Sequence, residues 1–245
     1  MQLQTTTTRY KPAGPKPFAW SYSKLKNFEA CPKRHYHVDI AKDFREEESE
    51  QLKHGNTIHT MLDQFIRHGT PLPPLHEPHL KPWVDRVFTY KGKDVRNYGA
   101  AVNAEQQLAI TKDFLPCEWF GRDAWYRAKV DVMWRLGPIA GVIDWKTGKV
   151  VEDSVQLMLA AATAFVHYPE LQVIRSTFAW LAEDATTDCD IKRAELPALW
   201  SNLWERIEML RHAHEHISYP PTPNRLCRKW CPVTACPHHG QSYGG

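Results

Sequence analysis

Residues 125–148, WYRAKVDVMWRLGPIAGVIDWKTG, constrain the fold more than any other stretch. Two apolar, alternating runs flank Gly137-Pro138, a turn signal, and predict a β-hairpin with a two-residue loop. Strand side chains point alternately to two faces, so residues two apart share a face. Tyr126, Ala128, Val130, Val132 and Trp134 are expected to form one apolar face with Ile139, Ile143 and Trp145. Arg127, Lys129, Asp131, Asp144 and Lys146 fall on the other, with Asp131 directly opposite Asp144.

Opposed carboxylates with Cβ atoms ~5 Å apart repel each other unless something offsets the charge. Mg²⁺ or Mn²⁺ does so, taking carboxylates, a backbone carbonyl and water as ligands. Lys146 could then position an attacking water or stabilise charge on a phosphate in transition. A plain solvated face, with Lys129 and Lys146 neutralising the aspartates, is the alternative the hairpin leaves open.

The remaining pattern predicts helices on both sides of such a sheet. Ser21 or Ser23 caps a short helix ending near Cys31-Pro32. A second helix is expected from Asn56 or Thr57, with Ile58, Met61, Leu62, Phe65 and Ile66 as its apolar stripe. Residues 71–82, PLPPLHEPHLKP, read as a proline-rich surface connection. Strands begin at Glu105; a helix spans about 153–166, a strand 171–181, and a long helix carries Leu196, Trp200, Leu203, Ile207 and Leu210. This order predicts an α/β fold with a mixed central sheet. Residues 1–20, with a threonine run and prolines, read as a loose arm, and 21–240 as one domain with its core at about 100–182.

No apolar run approaches the ~18 residues a membrane span requires, and the first residues lack a secretory apolar segment. A cytoplasmic, reducing location is therefore expected, where structural disulfides are rare. The net charge of +3 neither demands nor excludes nucleic acid, but basic clusters lie at 24–37 and 224–230.

Asp131 followed by Asp144-Trp145-Lys146-Thr147-Gly148 resembles the active site of the PD-(D/E)XK nucleases, and most closely the DWKTG strand of their RecB-like branch. SYSKLKNFEACPKRHYH resembles that branch's opening helix, HGNTIHTML its Gly-x-x-x-His helix, and VNAEQQLAI the segment whose Glu leads the first core strand. The resemblance implies a restriction-endonuclease-like core. It implies Asp131, Asp144, His59 and the Trp145 carbonyl as metal ligands, Lys146 as the catalytic lysine, and a contribution from Glu105. Gln156 matches the branch's Gln-x-x-x-Tyr motif, with Ala160 standing in place of the tyrosine.

Cys31 precedes Cys227, Cys231 and Cys236, and four thiolates can hold an iron–sulfur cluster whose ligands are distant in sequence. Similarity to iron–sulfur members of the branch, such as AddB and the CRISPR-adaptation nucleases, implies a [4Fe–4S] cluster joining the two ends of the domain. The spacing C-x₃-C-x₄-C differs from the branch's usual C-x₂-C-x₅-C. Structural zinc, with His238 or His239 replacing a thiolate, is the rival. Cys117 and Cys189 have no partner pattern. Lys33, Arg34, Arg127, Lys129, Arg228 and Lys229 are candidate DNA contacts.

The implied activity is hydrolysis of DNA phosphodiesters by a metal-activated water, with the 3′ bridging oxygen leaving. The size of the chain resembles small phage exonucleases acting on DNA ends or single strands in recombination, repair or phage DNA metabolism, in a bacterial or phage-infected cell. A non-cutting DNA-binding module and a nuclease dependent on a recombination or replication partner are the alternatives, and RNA remains open as a substrate.

Overall fold

The computed structural model describes residues 17–151 and 153–243. Six strands form one sheet in the order β4-β3-β5-β6-β7-β8. They are β3 (Ala101–Ile110), β4 (Pro116–Cys117), β5 (Tyr126–Leu136), β6 (Ile139–Lys146), β7 (Val173–Trp180) and β8 (Ala185–Lys192). A separate two-stranded ribbon pairs β1 (Thr89–Tyr90) with β2 (Lys93–Asp94). Strands β6 and β7 are parallel and the other pairs antiparallel, so the sheet is mixed. The parallel step needs a crossover, supplied by α5 (Val155–His167).

Val142 and Ile143 point to opposite faces and show which helices cover each. Ile143 packs with α3 (Glu50–His68) and α4 (Glu77–Val87), through Ile58, Leu62, Trp83 and Val84. Val142 packs with α5 through Ala161, Ala164 and Phe165. Beside α5, helices α1 (Tyr22–Ala30) and α6 (Leu196–His216) bury Leu25, Trp200, Leu203, Ile207 and Leu210.

The hairpin has the predicted loop and register, with Val132 opposite Ile143. Its apolar face is not continuous. Val132 and Trp134 face α3 and α4, whereas Tyr126, Ala128 and Val130 join the clusters on the α1, α5 and α6 side. The phase changes at Asp131. Opposite it on β3, Glu105 has φ +52°, in the left-handed region that costs a non-glycine residue energy. The pairing runs on either side of these two residues without slipping, and Glu105 and Asp131 alone step out of the ladder. Toward the other end, β5 and β6 stop pairing at Val132 and Ile143. There Trp20 takes up β5's backbone instead, donating to the Trp125 carbonyl and accepting from the Arg127 amide.

Several expectations are corrected. Trp20, the last residue of the expected loose arm, is buried; residues 1–16 of that arm lie outside the described residues. Helix α3 begins at Glu50, capped by Ser49, well before Asn56; its first turns are polar and exposed, so no apolar stripe marks them. The proline-rich connection at 71–82 contains the start of α4, where Pro78 occupies the first turn and forfeits no bond. Strand β8 gave no apolar signal because it is an edge strand with mostly exposed threonines and aspartates.

The two ends of the described chain meet. The short helix α2 (Pro32–His35) donates from the Lys33 amide to the Pro220 carbonyl, and Asn224 Nδ2 donates to the Ala30 carbonyl at 2.8 Å. A last short helix, α7 (Leu226–Lys229), carries Cys227. Among the described residues no helix is long and apolar enough to cross a membrane.

Candidate active site

Helix α3 can lie close to the turn after β6 because residue 55 is glycine; a Cβ there would sit 2.9 Å from Thr147 Oγ1. One turn on, His59 reaches the ladder break, its Nδ1 3.3 Å from Asp131 Oδ2. The left-handed backbone of Glu105 brings its carboxylate to the same place. His59, Glu105 and Asp131 offer ligand atoms that all lie within 4.8 Å of one another. Glu105 also pairs with Lys129, and Asp131 accepts the Trp145 amide at 2.9 Å.

On β6, Asp144 and Lys146 face α5, where Gln156 bridges them. Gln156 Nε2 donates to Asp144 Oδ1 at 2.8 Å and its Oε1 accepts from Lys146 at 3.3 Å. The Lys146 ammonium stands 2.6 Å from Asp144 Oδ2 and 4.7 Å over the Phe178 ring. That Oδ2 is buried and accepts no hydrogen bond of good geometry. His59, Glu105, Asp131, Asp144, Lys146 and Gln156 line one open cleft. The predicted pair of aspartates therefore meets, but at the end of the ladder rather than across a paired rung.

The electrostatics follow from crowding acids in a desolvated place. Burial, then the nearby Asp131 charge, pushes the Asp144 carboxyl up to about 6, with Lys146 and His59 opposing. Burial lowers the basicity of His59, but the hydrogen bond and charge of Asp131, the charge of Asp144 and the Trp145 backbone outweigh it, so its pKa is raised. The cluster thus favours positive charge, and its donors are hard oxygens with one imidazole, a set suited to Mg²⁺ or Mn²⁺. Asp144 Oδ2 is buried and held by the Lys146 ion pair, with no well-formed hydrogen bond of its own.

Residues 19–237 match the PD-(D/E)XK nuclease superfamily. The chain belongs to this superfamily. No curated protein matches it in sequence. Among solved structures, a protein of Eubacterium rectale named "Putative exonuclease" is 14% identical, aligning over 94% of this chain and 93% of its own, with a TM-score of 0.49. The protein SSO0001 is 13% identical over 94% of this chain and 90% of its own, with a TM-score of 0.38.

The nuclease fold also gathers the four cysteines. Cys31, Cys227, Cys231 and Cys236 line one small cavity together with His238 and His239. The Thr222 amide approaches Cys31 Sγ at 3.4 Å, and the Asn224 amide approaches Cys227 Sγ at the same distance. None of the six cysteines is in a disulfide, and burial raises the pKa of Cys117 and Cys189. Of the expected DNA contacts, Lys33, Arg228 and Lys229 are at least partly exposed. Arg34 is not available in the same way: its side chain is 12% exposed and committed to Glu46 and Asn27. Ala160 lies in the wall of a cleft beside Gln156, where a tyrosine would have filled space.

Proposed function

We propose that this chain is a divalent-metal-dependent DNA nuclease, an exonuclease acting on DNA ends or single strands. The observation that carries the reading is the convergence of His59, Glu105 and Asp131 beside the buried Asp144 carboxylate and the Lys146 ammonium paired with it. His59, Glu105, Asp131, Asp144 and the Trp145 carbonyl would hold Mg²⁺ or Mn²⁺. Bound there, the ion would lower the pKa of water and neutralise charge on the phosphate. Lys146 presents a fixed positive charge to the reacting phosphate oxygens and the incoming water. Gln156 positions both Lys146 and Asp144, and Phe178 holds the lysine from below.

The same proposal assigns Cys31, Cys227, Cys231 and Cys236 to a [4Fe–4S] cluster fastening the two ends of a single domain, 21–240. Two backbone amides directed at sulfur suit thiolate ligands. Structural zinc on the same thiolates, with His238 or His239 replacing one, is the alternative. Recombination, repair or phage DNA metabolism in the cytoplasm, with or without a partner protein, is the setting this reading implies.

End-labelled single- and double-stranded DNA, incubated with anaerobically purified protein, tests the activity. Shortening of the label that requires Mg²⁺ or Mn²⁺ and disappears in Asp144→Ala is expected. Binding without cleavage by cluster-loaded protein would favour a DNA-binding module or a partner-dependent subunit.

A further inference from the structure

Where β5 and β6 splay apart, a second cleft of about 560 Å³ opens beside the metal-ligand group. Asp144 and Gln156 belong to its wall, so it is continuous with the proposed reaction site. The opposite wall is the beginning of α1, which brings Ser21, Ser23, Lys24 and Lys26; Arg127 and Lys129 come from β5. Trp20 belongs to the same wall.

The loop between β4 and β5 forms the rim. Trp119 lines the cleft, and its carbonyl accepts from Arg127 Nε at 2.6 Å, which fixes the loop against β5. The next residue, Phe120, is 88% exposed, the most exposed of the large apolar side chains described. It lines a neighbouring hollow that also contains Lys24, Lys42, Arg122 and Arg127. An aromatic side chain held in water among cations has no role in the core. Basic groups interleaved with aromatic faces are how proteins grip a single strand, the cations following phosphates and the rings stacking on bases. The volume lies in the ~300–1,000 Å³ range of sites that enclose small molecules, enough for a nucleotide and too small for a duplex.

We propose that this cleft is a single-strand path: Phe120 and Trp119 stack on bases at the rim, and Lys24, Lys26, Arg127 and Lys129 lead the phosphates to Asp144. The proposal rests on the nuclease reading and deepens it, naming an unpaired strand as what reaches the reaction site and making strand separation at the rim a requirement for duplex ends.

The test is run on the full-length, cluster-loaded chain in EDTA, where no hydrolysis occurs. Single-stranded oligonucleotides carrying 5-iodouracil near one end are photo-crosslinked and the tryptic peptides identified. Crosslinking to the Asp113–Arg122 peptide is expected, together with a ~10-fold loss of single-strand affinity in Phe120→Ala and in Lys26→Glu by fluorescence anisotropy. Wild-type hydrolysis of bis(p-nitrophenyl) phosphate in a separate Mn²⁺ sample, which needs no path, reports on the reaction site alone, and the melting temperature of Phe120→Ala, whose side chain is exposed, should match the wild type. Crosslinks confined to peptides outside residues 20–26 and 113–129, or unaltered affinity in both variants, would overturn the path. Expected crosslinks from a chain that hydrolyses neither DNA nor the small diester would uphold the path and count against the nuclease reading instead.

Discussion

Asp144 is a buried carboxylate crowded by a second acid, Asp131. Its folded pKa of about 6 lies above the usual 3.8, so its stabilising contribution is full below pH 3.8 and lost as the pH rises to 6. Above that, the folded chain without metal holds a buried carboxylate that the unfolded chain would solvate. Asp144→Asn is therefore expected to raise metal-free stability by about 1–3 kcal/mol near pH 7.5, with no gain near pH 4, as read by urea denaturation in EDTA. The metal term has the opposite pH dependence. Asp144 and the raised-pKa His59 must shed protons to bind an ion, so stabilisation by Mn²⁺ should grow between about pH 5.5 and 7.5 and be absent in Asp144→Asn. A stabilisation by Mn²⁺ that ignores pH would place the ion elsewhere.

Two glycines set how the elements meet. A Cβ on Gly141 would come within 2.2 Å of the ring of Trp134, its cross-strand partner, whose indole N–H is tied to the Val87 carbonyl on α4. The ring has nowhere to go, and Gly141→Ala should cost about 3 kcal/mol in chemical denaturation. Gly55 instead governs the site. Gly55→Ala should push α3 off Thr147 and weaken Mn²⁺ binding about tenfold by calorimetry, with a small change in melting temperature. Adding Thr147→Ala removes the colliding oxygen and should restore binding. The hairpin and its turn were legible because period-two alternation and Gly137-Pro138 are local signals. The ladder break was not, since it depends on a left-handed Glu105 facing Asp131 from a different strand. Glu105 could be suspected only as the acid leading its strand, and Gln156 only through a motif whose tyrosine is missing. Pro78 and Pro82 hid α4, whose buried stripe Leu80, Trp83, Val84 and Val87 was nonetheless written at helical spacing.

At the scale of the whole molecule, the two ends of the described chain form one structural unit. Asn224 caps the α1 region through Ala30, Tyr36 and Tyr219 stack with centroids 4.9 Å apart, and four cysteines from both ends share a cavity. Cys31→Ser is expected to lose iron and inorganic sulfide together. Amide exchange should then quicken both in residues 22–36 and in residues 219–240, while β5 and β6 stay protected. Fast exchange at one end alone would show that the two are not fastened by a shared group. In the sequence, proximity groups the three terminal cysteines and the family resemblance adds Cys31, but the amides at Thr222 and Asn224 that approach the sulfurs depend on the folded tail.

The central claim is that the ion and the lysine at this ladder break carry out phosphodiester hydrolysis. A Mn²⁺ titration in which bound ion and the initial rate on end-labelled single-stranded DNA are read from the same samples tests it most directly. Rate should follow occupancy in the wild type. Asp144→Asn should lose both, and Lys146→Met should keep the ion while losing about 10²–10³-fold in rate. Full hydrolysis by Lys146→Met, or by Asp144→Asn without bound ion, would contradict the account.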